Sequence, residues 1–369
     1  MQGERLTGPR GCDGMLLNEV RSLGHAATTR KHLSKILLSR FTPLDILPDR
    51  VKKTITCPVV ALYHLASDRM LPHIAHLFSY PTVHQFEKDI DRLAARFRAV
   101  ELSDIVRHLE GNGNLPDNAL LLTFDDGYQE IAEVVAPVLI RKGVPAVFFL
   151  ISSCIDNETM FYRNLASLLV DALAAGRVTR RMRAAAERVL DTDAPRISIV
   201  KSILSVDYPR SGILYELASL FEIDPSTYLS KERPYLTSEE VRSLIAKGFA
   251  IGSHSIDHPH FGSLPPSEQE RQVRDSIVNL EQRFGMACRA FAFPFDERGI
   301  DKATLFKLTR FARVAFGTSL QSAAYGVYVR ISLEDARIGA LNALGLEAVK
   351  RWILQSLASR PTKGRQAGR

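Results

Sequence analysis

The chain has 369 residues, 46% of them apolar and 24% charged, an ordinary globular balance that excludes wholesale disorder and admits one large α/β unit with appendages. Forty-eight Lys and Arg against 41 Asp and Glu give a net charge of +7, but much of the excess lies in Arg30, Lys31, Lys35, Arg40, Arg50, Lys52 and Lys53 near one end and Lys363, Arg365 and Arg369 near the other. These read as solvated tails; with no aromatics interleaved among them and no reader motif, a nucleic-acid partner is not expected.

In chain order, residues 1–53 form a basic, weakly periodic extension in which Leu33, Ile36, Leu37 and Leu38 suggest one helix. The first strand is predicted in CPVVALYH, from Cys57 to His64, which is short, β-branched and closed by a polar residue. Phe86, Ile90, Leu93 and Phe97 recur at helical spacing with Lys88, Asp89 and Arg92 opposite, the pattern of a helix covering a sheet. After the turn GNGNLPDN come ALLLTF, a helix around Ile131 to Arg141, and PAVFFLI. Strand, helix, strand is the rhythm of a parallel sheet. From about 153 to 233 that rhythm stops, and the segment reads as an inserted helical stretch. It resumes at Thr237, which with Glu240 forms a capping box; the helix ends near Lys247 at Gly248. FAIGSH, a helix from Glu268 to Phe284, RAFAFPF and RVAFGTS follow, for about six strands in all.

Cys12, Cys57, Cys154 and Cys288 form no C-x-x-C pair, so neither a cysteine zinc site nor a disulfide framework is expected. The first residues carry no apolar leader, and the longest apolar run, Val144 to Ile151, is too short to span a bilayer, so a cytoplasmic chain without a transmembrane segment is expected. The sequence sets no oligomeric state.

Two places carry chemistry. Thr123-Phe124-Asp125-Asp126-Gly127-Tyr128 ends a strand with adjacent carboxylates. Asp-Asp-Gly fits a plain turn equally well. Its place at the carboxyl end of a parallel strand, where sites assemble, and the repulsion between two such carboxylates point to a bound cation or proton. His254-Ser255-Ile256-Asp257-His258 supplies two imidazoles four apart, expected to meet on one face of a helical turn, and imidazole suits zinc and its neighbours. It is not the H-E-x-x-H motif, because Ser255 follows His254. Two His and one Asp leave open metal positions, as hydrolysis requires.

TFDDGY paired with H-S-x-x-H and followed by FAFPF resembles the polysaccharide deacetylases of the NodB-homology type, carbohydrate esterase family 4. The resemblance runs from about Cys57 to about Trp352 and takes in YH near its start, LTSEEVRSLIAKGFAIGSHSIDH and the late VRI. It implies a distorted (β/α) barrel with fewer than eight regular units. The expected organisation is a basic extension over 1–53, a catalytic domain over 54–352 with a helical insertion at about 153–233, and a basic tail over 353–369. It implies a metal-dependent N-deacetylase acting on an N-acetylated sugar of a glycan or glycan precursor. Asp125 takes the place of the general base, and Asp126, His254 and His258 those of the ligands to a divalent metal, Zn²⁺ by expectation. Tyr128 is expected at the mouth of the site.

Later motifs depart from the family pattern. Where many members carry an Arg-x-Pro-Tyr-Gly-like stretch, this chain has Ala290-Phe291-Ala292-Phe293-Pro294-Phe295-Asp296, in which Phe293, Pro294 and Phe295 are expected to form an apolar wall. The family's C-terminal Leu-x-His is missing, since His260 is the last histidine. His64, ending the first strand, is the candidate replacement as general acid, and Arg330 the candidate for orienting Asp125. Phe261 and Phe295 are of a type suited to stacking on a sugar, but such aromatics are too common to discriminate between readings. Two other readings stay open on the residues alone: a catalytically impaired glycan-binding relative, and a hydrolase of a non-sugar amide.

Overall fold

The computed structural model describes residues 43–55, 57–190, 198–335 and 337–358. The helix expected around Leu33 to Leu38, Cys12, and the basic tail beyond 358 lie outside them. The strands are β1 (Val59–Tyr63), β2 (Arg98–Ala99), β3 (Ala119–Phe124), β4 (Ala146–Leu150), β5 (Ala250–Ser253), β6 (Ala290–Ala292), β7 (Val314–Gly317) and β8 (Val327–Ser332). All pairings are parallel, in the order β1-β8-β7-β6-β5-β4-β3, and β1 pairs with β3 to close a seven-stranded barrel. The two-residue β2 joins the start of β3. This is the (β/α) barrel with fewer than eight regular units that the motifs imply.

Both faces of β1, β3 and β4 are covered, so these strands are buried throughout and read as unbroken apolar runs rather than alternating ones. Alternate residues serve two separate cores. Val60, Leu121, Val147, Phe149, Ala292 and Phe316 pack together as one cluster, the barrel interior. Ala61, Tyr63, Leu122, Phe124 and Phe148 belong to a second cluster with Phe86, Ile90 and Leu93 of helix α1 (Val83–Ala94). Phe86 is fully buried between Tyr63 and Phe124, with ring centroids 5.6 and 5.9 Å away. Truncating it to Ala is worth about 3–5 kcal/mol of stability. Inside the barrel Phe149 leaves no room at position 252, where a Cβ would lie 2.4 Å from its ring, which is why β5 carries Gly252.

The six predicted strands are present, β8 completes the barrel, and the minimal β2 lies beside β3 outside it. β8 escaped the apolar pattern because Arg330 interrupts VYVRIS. The arginine sits inside the barrel with its guanidinium 5.6 Å from the Phe149 ring centroid. The predicted capping box stands: Thr237 and Glu240 bond reciprocally at the start of helix α2 (Ser238–Ala246), and Gly248, at φ 90°, follows its end. Helix α3 (Pro266–Phe284) connects β5 to β6 and packs on β5.

The described residues divide into two compact units, one holding Leu71–Phe78 with Tyr162–Thr227, the other the barrel. The first unit is helical, with Tyr162–Ala174, Arg180–Val189, Ile199–Leu204 and Gly212–Leu220 as its main helices. Its 71–78 segment is pinned by side chains of the first of these: Asn164 donates to the His73 carbonyl at 2.9 Å and Ser167 to the Pro72 carbonyl at 2.8 Å. Among the described residues no helix is long and apolar enough to cross a membrane.

Candidate active site

Strand register brings the chemistry-bearing residues to one rim. Tyr63 pairs with Phe124 and Ser253 with Leu150, so His64, Asp125 and His254 each take the first position beyond the carboxyl end of a strand. Backbone bonds continue the ladders there, from the Asp125 N–H to the Tyr63 carbonyl at 3.0 Å and from the His254 N–H to the Leu150 carbonyl at 2.9 Å. His64, Asp125, Asp126, His254, His258 and Arg330, the candidate catalytic and metal-holding residues, lie in this one cluster.

The loops that follow are bent sharply. Asp126, Ser255, His258 and Phe295 have φ of 71°, 70°, 57° and 56°. Left-handed conformations at non-glycine residues cost on the order of 1–3 kcal/mol each and persist only where the surroundings enforce them. The expected helical turn between His254 and His258 is therefore absent. A loop, not a helix, brings the imidazoles together, with ring centroids 4.7 Å apart. Gln272 of α3, fully buried, accepts from the backbone N–H groups of Ile256 and Asp257 at 3.0 and 3.2 Å and donates to the Asp257 carboxylate at 3.1 Å. Ser255 Oγ accepts from the His258 N–H at 2.9 Å. Nothing in the residue types of α3 marked Gln272 beforehand; its position beneath the loop does.

The donor set fits a divalent cation. His254 Nδ1 bonds to the Ala292 carbonyl at 2.8 Å, which leaves the lone pair on Nε2 facing inward. That Nε2 lies 3.6 Å from Asp126 Oδ1, and His258 Nε2 lies 3.3 Å from the same oxygen, which is buried and among the described residues has no other hydrogen-bond partner. Ligand atoms of the three residues fall within 4.8 Å of one another. Burial, aided by His258, pushes the His254 pKa down to about 4 against the pull of Asp125, so this imidazole is neutral, as a ligand must be. Burial works against the charge on Asp126, but His258 and His64 outweigh it and hold the carboxyl well below the usual range. An ionised oxygen facing two imidazole nitrogens is the arrangement that a metal ion completes.

Asp125 differs from its neighbour. Arg330 Nη1 donates to Asp125 Oδ1 at 2.6 Å, and Asp125 Oδ2 stands 3.5 Å from His254 Nε2. Burial opposes ionisation of Asp125 too, yet Arg330 and His254 hold its pKa below the ordinary value. His64 turns Nε2 toward Asp126 Oδ2, 4.0 Å away, and Nδ1 to Glu334 Oε2 at 2.8 Å. Burial disfavours the imidazolium, but Glu334, followed by Asp126 and Asp125, overcomes it and raises the His64 pKa to about 9. The sequence reading missed Glu334. Its available signal was a carboxylate two residues beyond the end of β8.

Aromatic placement revises two expectations. Phe295 is 41% exposed and lies edge-on to His258, ring centroids 4.6 Å apart, whereas Phe293 is fully buried against Phe261 and Phe291. The apolar wall is thus Phe295 with Phe161, a residue not anticipated, whose ring centroid is 4.4 Å from that of His258. Phe261 is fully buried and cannot stack on a ligand. Tyr128 does not line the mouth; it is buried and stacked on Tyr235 with centroids 6.0 Å apart, where the two residues form an isolated bridge.

No curated protein matches the chain. Among solved structures it is similar to the Streptococcus pyogenes deacetylase PplD in complex with acetate, at 14% identity over 78% of this chain and 96% of that one, TM-score 0.49. It is similar also to IcaB from Ammonifex degensii, at 16% identity over 78% and 96%, TM-score 0.48, and to the BpsB deacetylase domain from Bordetella bronchiseptica, at 16% over 76% and 96%, TM-score 0.44. The profile of the family described as polysaccharide deacetylase matches residues 112–312, more than half of the chain and a span that holds both the Asp-Asp and the His-His motifs. The chain therefore belongs to the polysaccharide deacetylase family, hydrolases of carbon–nitrogen bonds other than peptide bonds.

Proposed function

We propose that this protein is a divalent-metal-dependent N-deacetylase that removes the acetyl group from an N-acetylated sugar of a glycan or glycan precursor, with Zn²⁺ as its metal. The observation that carries the reading is the orphaned Asp126 Oδ1 facing the Nε2 atoms of His254 and His258, next to a second carboxylate that is held elsewhere. Asp126, His254 and His258 are the residues to hold the ion; two imidazoles and one carboxylate suit Zn²⁺ and leave positions open. When bound, a divalent ion polarises the acetamide carbonyl and lowers the pKa of water.

The remaining steps belong to side chains. Asp125 accepts a proton from the attacking water through Oδ2, while Oδ1 remains bonded to Arg330, which keeps the carboxylate ionised and oriented. As the tetrahedral carbon collapses to acetate, the C–N bond breaks and the leaving nitrogen needs a proton. His64 supplies it from Nε2 while Glu334 holds Nδ1, a role that answers the absence of a histidine after His260. Phe295, exposed beside His258, offers an apolar face to the acetyl methyl or the sugar ring, while the buried Phe161 packs behind His258. The catalytic domain is proposed to span 54–352, with the helical insertion at about 153–233.

The test is acetate release from N-acetylglucosamine oligomers by the purified chain, before and after chelation and after readdition of Zn²⁺. Release that disappears on chelation and returns with the metal is expected. Release that persists in the fully stripped protein would reject the metal-dependent reading.

A further inference from the structure

At the opposite end of the barrel from the carboxylates and imidazoles lies a cavity of about 470 Å³. Its position follows from strand polarity: Cys57 precedes β1 and Tyr328 is the second residue of β8, whereas His64, Asp125 and His254 follow strand ends. Around it stand Leu109, Leu320 and Leu354, which are 51%, 39% and 49% exposed. Large apolar side chains left in solvent around one opening mark a binding surface more often than chance exposure does. The volume falls within the range of small-molecule sites, roughly 300–1,000 Å³.

Among the described residues one charged group lines this cavity. Arg351, on the C-terminal helix (Ala340–Ala358), is 6% exposed, and its Nε bonds to Glu347 Oε1 at 2.9 Å. Glu347 is shared, because Lys350 Nζ approaches its other oxygen at 3.2 Å, so the local balance stays positive. Arg351 Nη2 is buried and has no hydrogen-bond partner among the described residues. A buried donor without an acceptor is destabilising, and a guanidinium cannot escape that cost by losing its proton. Tyr328 places a half-buried phenol in the same lining, and burial pushes its pKa up, so it too remains a donor.

We propose that this cavity is a second ligand site, which takes an amphiphile with one anionic head, bound by Arg351, and an apolar tail held among Leu109, Leu320 and Leu354. An anion supplies the acceptor that Nη2 lacks, in a charge-assisted bond, and the tail covers the exposed leucines. The head can be the carboxylate of a fatty acid or the phosphate of a lipid monoester, which share this chemistry.

The full chain is titrated calorimetrically with decanoate, decyl phosphate and neutral decanol, each below its micelle concentration, and binding is located by the rate at which a maleimide alkylates Cys57. Cys57 is exposed and lines the cavity, Cys154 and Cys288 are buried, and Cys12, outside the described residues, is replaced (Cys12→Ser) so that alkylation reports Cys57. At least one anion is expected to bind one per chain, to slow Cys57 alkylation, and to exceed decanol in affinity by about tenfold or more. The stronger of the two anions identifies the natural head. Arg351→Gln is expected to reduce anion affinity to the decanol level with acetate release unchanged. Leu354→Asp, at an exposed position that folding does not need, is expected to weaken all three ligands. Absence of Cys57 protection, equal affinity for decanol, or undiminished anion binding in Arg351→Gln would overturn the proposal. So would sedimentation showing a dimer that Leu354→Asp dissociates, since a second copy would then cover the leucines.

Discussion

Arg330 and Asp125, 205 residues apart in sequence, meet at 2.6 Å with both side chains almost wholly buried. The pair exists because β8 and β3 both flank β1, which places an arginine from inside one strand beside the carboxylate that ends another. Breaking a buried ion pair from one side leaves an uncompensated charge, at about 3–5 kcal/mol. Arg330→Met is accordingly expected to lower stability by that order, read as a reduced midpoint in urea unfolding, and to remove most acetate release.

Asp125→Asn is expected to leave metal binding intact and to lower turnover by about 10²–10⁴-fold, the usual worth of a general base. His258→Ala is expected to weaken both. Acetate release combined with competitive metal titration separates the two outcomes, and full turnover in the Asn variant would remove the base assignment.

His64→Gln and Glu334→Gln address departure of the amine. Each is expected to slow hydrolysis of a sugar acetamide, His64→Gln by about 10²-fold or more, and to spare an acetyl ester with a good leaving group, which needs no proton. Equal losses on both substrates would show that His64 and Glu334 serve the architecture rather than proton delivery.

Gln272→Leu keeps the approximate volume of the side chain under the histidine loop but removes the acceptor for the Ile256 and Asp257 N–H groups. Outer partners that orient ligands typically contribute about 10–100-fold to metal affinity. The expected result is a loss of that size in Zn²⁺ affinity by competitive titration. Affinity equal to that of the parent chain would assign Gln272 to packing alone.

Glu130 tests pH dependence away from the metal ligands. It is buried, its Oε2 has no hydrogen-bond partner among the described residues, and burial raises its pKa to about 7. A raised carboxyl pKa favours folding fully only below the unfolded value near 4.5, and that contribution is lost as pH rises through about 7. Glu130→Gln is expected to gain stability relative to the parent between pH 5 and pH 8, by on the order of 2–3 kcal/mol. Urea unfolding at the two pH values measures it.

Sequence alone determined the strand runs and the residue types at their ends, because burial on both faces writes an unbroken apolar run and a polar residue closes it. TFDDGY and HSIDH were legible for that reason, as was the box at Thr237 and Glu240. Tertiary structure decided what closure and register bring together: Arg330 on Asp125, Glu334 on His64, Gln272 beneath the histidine loop. None of these pairs is local, so no periodicity announces it. The spacing of His254 and His258 misled for a related reason. Four residues apart is a helical interval only if the backbone is helical, and the left-handed Ser255 and His258 are imposed by bonds from α3 and the adjoining loops rather than by their own preferences. Side-chain identity likewise marked Phe261 and Phe295 alike, and only the fold put one in the core and the other in solvent beside His258.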